Sequence, residues 1–116
     1  MRIYIAGAYV PKGCSLHDAA RLAQQNVDKA IAAFHYLKSL GGYDPFVPHL
    51  SHYLHLQGES DYGDWWYHYD LTFLEHWAEG IYMLSGWEKS KGSVMELERA
   101  RELGLKVIFQ DEGLKE

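Results

Sequence analysis

Two acidic residues fall where the hydrophobic pattern leaves no room for a free charge. At about 100° per residue, the segment Asp64 to Ala78 reads as a helix that gathers Phe73, Trp66, Trp77, Leu74, Tyr67, Ala78 and Leu71 into one apolar arc, and Asp70 falls inside that arc. Asp64, His68 and Glu75 project to the opposite side. A carboxylate so placed has to be hydrogen-bonded, paired, or protonated through a raised pKa. Perturbed acids of this kind are candidate catalytic groups, although capping a loop or accepting backbone N–H bonds would satisfy Asp70 equally well. Glu96 stands at the border of a second helical arc, formed by Val94, Leu97, Ala100 and Leu103, while Glu102 lies opposite it. Ser93-x-x-Glu96 also has the form of a capping box, in which Glu96 only bonds back to the cap, and the segment on its own favours that role.

Around these acids lie residues suited to holding a ligand. Ser85 to Glu96 joins an apolar run to the second of these helices: Gly92 allows close backbone approach, the Ser90 and Ser93 hydroxyls can donate, and the first free N–H groups of the helix favour an anion. That suits a phosphate or a sugar hydroxyl. The loop Gly7 to Ser15 offers a glycine turn, the Tyr9 phenol and Lys12, a solvated loop lysine by default; GAYVPKG matches neither the dinucleotide fingerprint nor the P-loop. His49, His52 and His55 recur at three-residue spacing, but without HExxH and with Cys14 as the single cysteine no metal is expected. Contact of His49 or His52 with a ligand is favoured over zinc, and His55 is expected to pack among loop tyrosines.

The elements that must position these groups can be read from periodicity and punctuation. Ile3 to Ala6 reads as a buried strand, Leu16 to Leu40 as a long helix stopped by Gly41-Gly42, and Asp44 to Pro48 as a brief strand limited by its prolines. His49 to Gly63 is an irregular His-rich loop; the helix Asp64 to Ala78, the strand Gly80 to Leu84, the helix Ser90 to Leu103 and the strand Lys106 to Gln110 follow. The order β-α-β-α-β-α-β predicts an α/β fold with a parallel sheet covered on both faces, and ligands at the carboxyl ends of strands near the topological switch point. With 116 residues, 47% of them apolar, one domain spanning 1–116 is expected, without repeats or linkers. A net charge of −5 with no basic block argues against a nucleic-acid polymer as partner. The N-terminal MRIYIAGAYV runs into polar sequence before signal-peptide or membrane-span length, so a soluble, cytoplasmic protein without a membrane partner is expected. Aromatic residues make up 15%, more than so small a domain buries easily, so some should line a pocket or an interface.

Taken together, IYIAGAY at the first strand, FVPH after the second, YHYDLTFLE on the second helix and GWEKSKGSVMELERARELG at the third resemble the nucleoside 2-deoxyribosyltransferase-like superfamily. It includes nucleoside 2'-deoxyribosyltransferases, 2'-deoxynucleoside 5'-monophosphate N-glycosidases and short uncharacterised members with the Gly-Trp-x-x-Ser-x-Gly-x-x-x-Glu pattern. The resemblance spans nearly the whole chain. It implies a flavodoxin-like, Rossmann-like three-layer sandwich with a small parallel sheet of four to five strands. By position, Glu96 resembles the nucleophilic carboxylate and Asp70 the aspartate that assists the departing base; Gly7 and Tyr9 match the first-loop element, His49 the histidine region after the second strand, and Ser90 the serine before the nucleophile helix, which in nucleotide-cleaving members helps hold the 5'-phosphate. The implied activity is cleavage of the N-glycosidic bond of a (deoxy)nucleoside or its 5'-monophosphate through a glycosyl-enzyme, by hydrolysis or by transfer to another base. Trp65, Trp66, Tyr69 and Trp87 are candidate stacking walls for the base, with Trp66 assigned by periodicity to the core; no cofactor or metal is implied.

Members usually oligomerise. A homodimer or higher oligomer is expected here because right-handed crossovers leave an apolar sheet face exposed on the first helix's side. An alternative rests on Glu79, where the superfamily often carries an aspartate, and on a first loop without its serine-and-arginine phosphate clamp: a non-catalytic nucleotide-binding or sensing module of the same fold. A ligand-free oligomeric scaffold is the third and least favoured reading.

Overall fold

The computed structural model describes residues 1–9, 16–51, 53 and 65–112, the side chain of Leu16 excepted. Strand β1 (Arg2–Ala6), helix α1 (Leu16–Leu40), β2 (Asp44–Phe46), α2 (Trp65–His76), β3 (Gly80–Met83), α3 (Lys91–Glu102) and β4 (Lys106–Phe109) follow one another, with 3-10 turns at Pro48–Ser51, Trp87–Lys89 and Gln110–Glu112. The four strands form one parallel sheet in the order β2-β1-β3-β4. This is the expected flavodoxin-like α/β sandwich.

Alternation along the strands builds its three layers. Ile3 and Ile5 of β1, Tyr82 of β3 and Ile108 of β4 pack with Ala30, Ala33 and Leu37 of α1. The alternate positions Tyr4, Ala6, Ile81 and Met83 meet Leu74 of α2 and Leu97 and Ala100 of α3 on the other face. Because both faces are covered, the central strands carry apolar side chains on both sides, as parallel sheets require. The small Ala23, Ala30 and Ala33 in the buried stripe of α1 let that helix lie close to the sheet.

Element boundaries differ from the sequence expectation where local chemistry intervenes. β2 ends at Phe46, short of Pro48, which opens a 3-10 turn; β2 pairs with β1 alone, an edge position that tolerates Pro45. α3 begins at Lys91 with Ser90 as its N-cap, and Trp87–Lys89 forms a separate turn entered through Gly86 at φ 85, a left-handed conformation suited to glycine. The bare apolar face expected on the α1 side is not found among the described residues. Tyr82 and Ile108 are buried, so α1's side is closed as far as β4. No described helix is long and apolar enough to cross a membrane.

The chain runs from β1 outward to β2, then returns across β1 to β3. The connections leaving the carboxyl ends of β1 and β3 therefore diverge, and the crevice between them is the topological switch point.

Candidate active site

Glu96 enters this crevice from the first half of α3. The buried stripe of that helix is Ser93, Glu96, Leu97 and Ala100, so the carboxyl group occupies a position the periodicity reserves for the core. The capping box does not form. Ser90, one turn earlier, is the cap: its Oγ accepts from the Ser93 N–H at 3.3 Å and from the Ser93 hydroxyl at 3.0 Å. Glu96 Oε2 accepts instead from the Tyr4 hydroxyl, projecting from the middle of β1. With 9% of Glu96 exposed, burial pushes its pKa up to about 8; the Tyr4 hydrogen bond opposes the rise and the charge of Asp70 adds to it. Burial, then the Glu96 and Asp70 charges, hold the Tyr4 phenol well above its ordinary range. It therefore stays a donor.

Asp70 faces the same crevice from α2, half-buried on the arc where the sequence pattern places it. Burial pushes its pKa up to about 7. Two carboxyl groups on neighbouring helices, each raised toward neutrality by burial, with the Asp70 charge adding to the rise of Glu96, together hold about one proton around pH 7 to 8. One member can then be an ionised nucleophile while the other is an acid, the division that glycosidic chemistry uses.

The crevice opens into a cleft of about 1200 Å³. Its walls are Gly7, Ala8 and Tyr9 after β1, Asn26 and Lys29 of α1, His49 after β2, Trp66 and Tyr67 of α2, and, between β3 and the middle of α3, Ser85, Gly86, Lys89 to Ser93, Met95 and Glu96. The β1 loop is fixed from three sides. A Cβ on Gly7 would stand 2.6 Å from Leu84 Cδ1, the Nε2–H of His49 donates to the Gly7 carbonyl at 3.0 Å, and Asn26 Nδ2–H donates to the Tyr9 carbonyl at 2.9 Å. His49 is buried, and its Nδ1 has no hydrogen-bond partner among the described residues. Burial lowers its pKa against the pull of the Gly7 and Ala8 carbonyls, so it is a neutral prop for the loop. Burial pushes the Tyr9 phenol up to about 12, which keeps it a donor.

Gly7, Tyr9, His49, Asp70, Ser90, Gly92, Ser93 and Glu96 thus share one cleft. Trp87 stands apart, tilted against Phe109 at 5.7 Å between ring centres on the core side. Trp65 and Tyr69 stack on each other at 5.1 Å on the exposed side of α2, and Trp66, assigned to the core by periodicity, lines the cleft instead. Lys12, Cys14, His52, His55 and Asp64 lie outside the described residues. Among the described residues no group of three His, Cys, Asp or Glu side chains could hold a metal ion.

Sequence reasoning missed Tyr4, Asn26, Lys29 and Tyr67. The available signal for Tyr4 was a hydroxyl in an otherwise aliphatic buried strand, which must find a partner. Lys29, Lys89 and Lys91 reach the cleft from α1 and from the β3–α3 segment, and none makes an ion pair among the described residues.

A family model described as "Domain of unknown function (DUF4406)" matches residues 48–109, more than half of the chain. The chain belongs to the DUF4406 family. No curated protein and no solved structure matches it. The DUF4406 match takes in His49, Asp70, Ser90, Gly92, Ser93 and Glu96, whereas Tyr4, Gly7 and Tyr9 lie N-terminal to it. Both carboxyl-bearing helices are therefore DUF4406 elements, completed by the β1 strand and loop.

Proposed function

We propose that this DUF4406 protein cleaves the N-glycosidic bond of a nucleoside 5'-monophosphate, with Glu96 as nucleophile and Asp70 as proton carrier. The observation that carries the proposal is a buried carboxyl group, hydrogen-bonded by Tyr4, beside a second carboxyl group of raised pKa at the switch point of the sheet. The resemblance of the motifs to nucleoside 2-deoxyribosyltransferase-like enzymes supports the same reading. A Glu96 oxygen attacks the anomeric carbon, the bond from that carbon to the base nitrogen breaks, and its electron pair leaves with the base as Asp70 gives up its proton. The bond from the anomeric carbon to the Glu96 oxygen is then broken by water or by the nitrogen of a second base, and in either case the proton that the attacking group loses returns to Asp70. With pKa values near 7 for Asp70 and near 8 for Glu96 the shared proton rests mainly on Glu96, so the reactive form is the one in which it has moved to Asp70, and the Tyr4 hydroxyl, donating to the Glu96 carboxylate, favours that form.

Donor groups around α3's first turn favour a phosphorylated substrate. Both lone pairs of the Ser90 hydroxyl are occupied by Ser93, which leaves it only a proton to offer. Lys89 and Lys91 flank it, Lys29 lines the same cleft, and a Cβ on Gly92 would have no atom within 4 Å. A phosphate, all acceptors and doubly charged, is the ligand group such a corner suits.

The test is a chromatographic screen of the purified chain against deoxy- and ribonucleosides and their 5'-monophosphates, with and without a second base. The account expects free base from a monophosphate, none with Glu96→Gln, and a new nucleotide when an acceptor base is used. Monophosphate binding without base release, unchanged in Glu96→Gln, would overturn it in favour of a nucleotide-binding module.

A further inference from the structure

Arg99 reaches from α3 to α2. Its Nη2–H donates to Glu75 Oε2 at 2.9 Å, while its Nη1–H donates to Glu102 Oε2 of its own helix, also at 2.9 Å. One planar guanidinium thus spans two helices, with its orientation fixed by the second contact. Glu75 stands five residues beyond Asp70 on α2, and Arg99 three beyond Glu96 on α3, so the ion pair joins the helices about one turn from the paired carboxyl groups.

The anchorage of α2 is one-sided. Leu74 is its buried side chain; Leu71 and Phe73 pack beside it, and Phe73 stacks on Phe46 at 4.5 Å. Tyr67 and Asp70 precede all of these anchors, on the half of α2 that faces the cleft. That half stands N-terminal to the anchors, and just C-terminal to them the Arg99–Glu75 ion pair ties α2 to α3, so the tilt of α2 about its apolar anchors is set from that end.

We propose that Arg99 is a positioning residue, which sets the separation of α2 and α3, and with it the separation of Asp70 from Glu96, through its fork to Glu75 and Glu102. The inference goes beyond N-glycosidic cleavage and does not depend on it. Any chemistry shared between the two carboxyl groups requires them to be held at a fixed distance.

Among the described residues, the groups that face the pair are Tyr4 from β1, Tyr67 from α2 and the two acids themselves, with Lys29 of α1 and Lys89 and Lys91 around the start of α3 lining the same cleft; Glu75 and Glu98 also act on Tyr67. Burial raises Asp70, and burial, Tyr4 and Asp70 set Glu96. Two effects of removing Arg99 therefore have opposite signs. Loss of a positive charge can only raise a carboxyl pKa, whereas a parting of α2 from α3 admits water and lowers both toward the ordinary range.

Carbon-13 carboxyl NMR titration of the full chain reads this directly, with Asp70→Asn and Glu96→Gln to assign the resonances. In Arg99→Met both carboxyl pKa values should fall by about one unit or more, with an intermediate fall in Arg99→Lys; Glu75→Gln and Glu102→Gln lower them also by removing a negative charge, so the sign in Arg99→Met decides. Values that stay put or rise in Arg99→Met while the spectra remain those of a folded chain would overturn the proposal, whatever Glu75→Gln does. The readout is titration and not turnover, so its failure is distinguishable from absence of base release.

Discussion

Tyr4 acts on Glu96 from the middle of a strand, at a position whose neighbours Ile3 and Ile5 face the opposite layer. Tyr4→Phe keeps the ring and removes the hydroxyl, so the Glu96 carboxyl should lose its ionising partner. Base release should fall about 10- to 100-fold, the equivalent of one charge-assisted hydrogen bond, and the alkaline limb of its pH profile, which follows Glu96 as the group of higher pKa, should move upward; an unchanged limb would mean that Glu96 is set by burial alone. At this scale the sequence was informative in proportion to how far a residue violated its pattern. Asp70 was legible because no carboxyl belongs in an apolar arc, and its raised pKa is the cost of that position. The role of Glu96 was not, since two serines three residues apart, Ser90 and Ser93, both offer a cap, and the one chosen decides whether Glu96 bonds backward or faces Tyr4. Asn26 gave no signal at all: its partner is a backbone carbonyl 17 residues away.

Strand and helix identities followed from alternation and 3.6-residue periodicity, and those signals are strongest where both faces of an element are buried or one face is continuous. α1 begins and ends where its apolar positions and Gly41-Gly42 place it. Short 3-10 turns escaped notice because three residues carry no period, yet Trp87–Lys89 is what swings the Trp87 ring toward Phe109 and out of the cleft. Two glycines separate packing from binding. Gly7→Ala would drive a Cβ to 2.6 Å from Leu84 Cδ1 and 2.8 Å from Leu84 Cβ; chemical denaturation should register a loss of about 1–3 kcal/mol. A Cβ at Gly92 meets nothing within 4 Å, so Gly92→Ala should stabilise α3 by up to about 1 kcal/mol. The same substitution should raise KM for a monophosphate, because the methyl group stands where the phosphate is proposed to approach. A variant both more stable and unimpaired in KM would remove the first turn of α3 from the binding site.

For the molecule as a whole, the paired acids impose a pH dependence of known sign. Between the ordinary carboxyl pKa of the unfolded chain, about 4, and the values near 7 and 8 in the fold, the native state binds more protons than the unfolded one. The contribution of these two groups to stability is therefore fullest below about pH 4 and declines as pH rises through about 8. Thermal unfolding followed from pH 5 to 9 should show a falling Tm, and Glu96→Gln should flatten the fall and exceed wild type at the alkaline end by at least about 1 kcal/mol, one unit's worth of pKa shift. The opposite slope would mean that these carboxyls are ionised and well solvated at neutrality. Activity should be bell-shaped, since one member of the pair must be ionised and the other protonated, with limbs near 7 and 8.

The measurement that bears most directly on the central claim is intact-protein and peptide mass spectrometry after incubation with a nucleoside 5'-monophosphate carrying fluorine at the 2' carbon. The fluorine withdraws charge from the anomeric centre and slows breakdown of a glycosyl ester. The account predicts one sugar-phosphate adduct per chain, located on the peptide that contains Glu96 and accompanied by one equivalent of released base. Base release with no adduct, or an adduct on any other residue, would contradict Glu96 as the nucleophile.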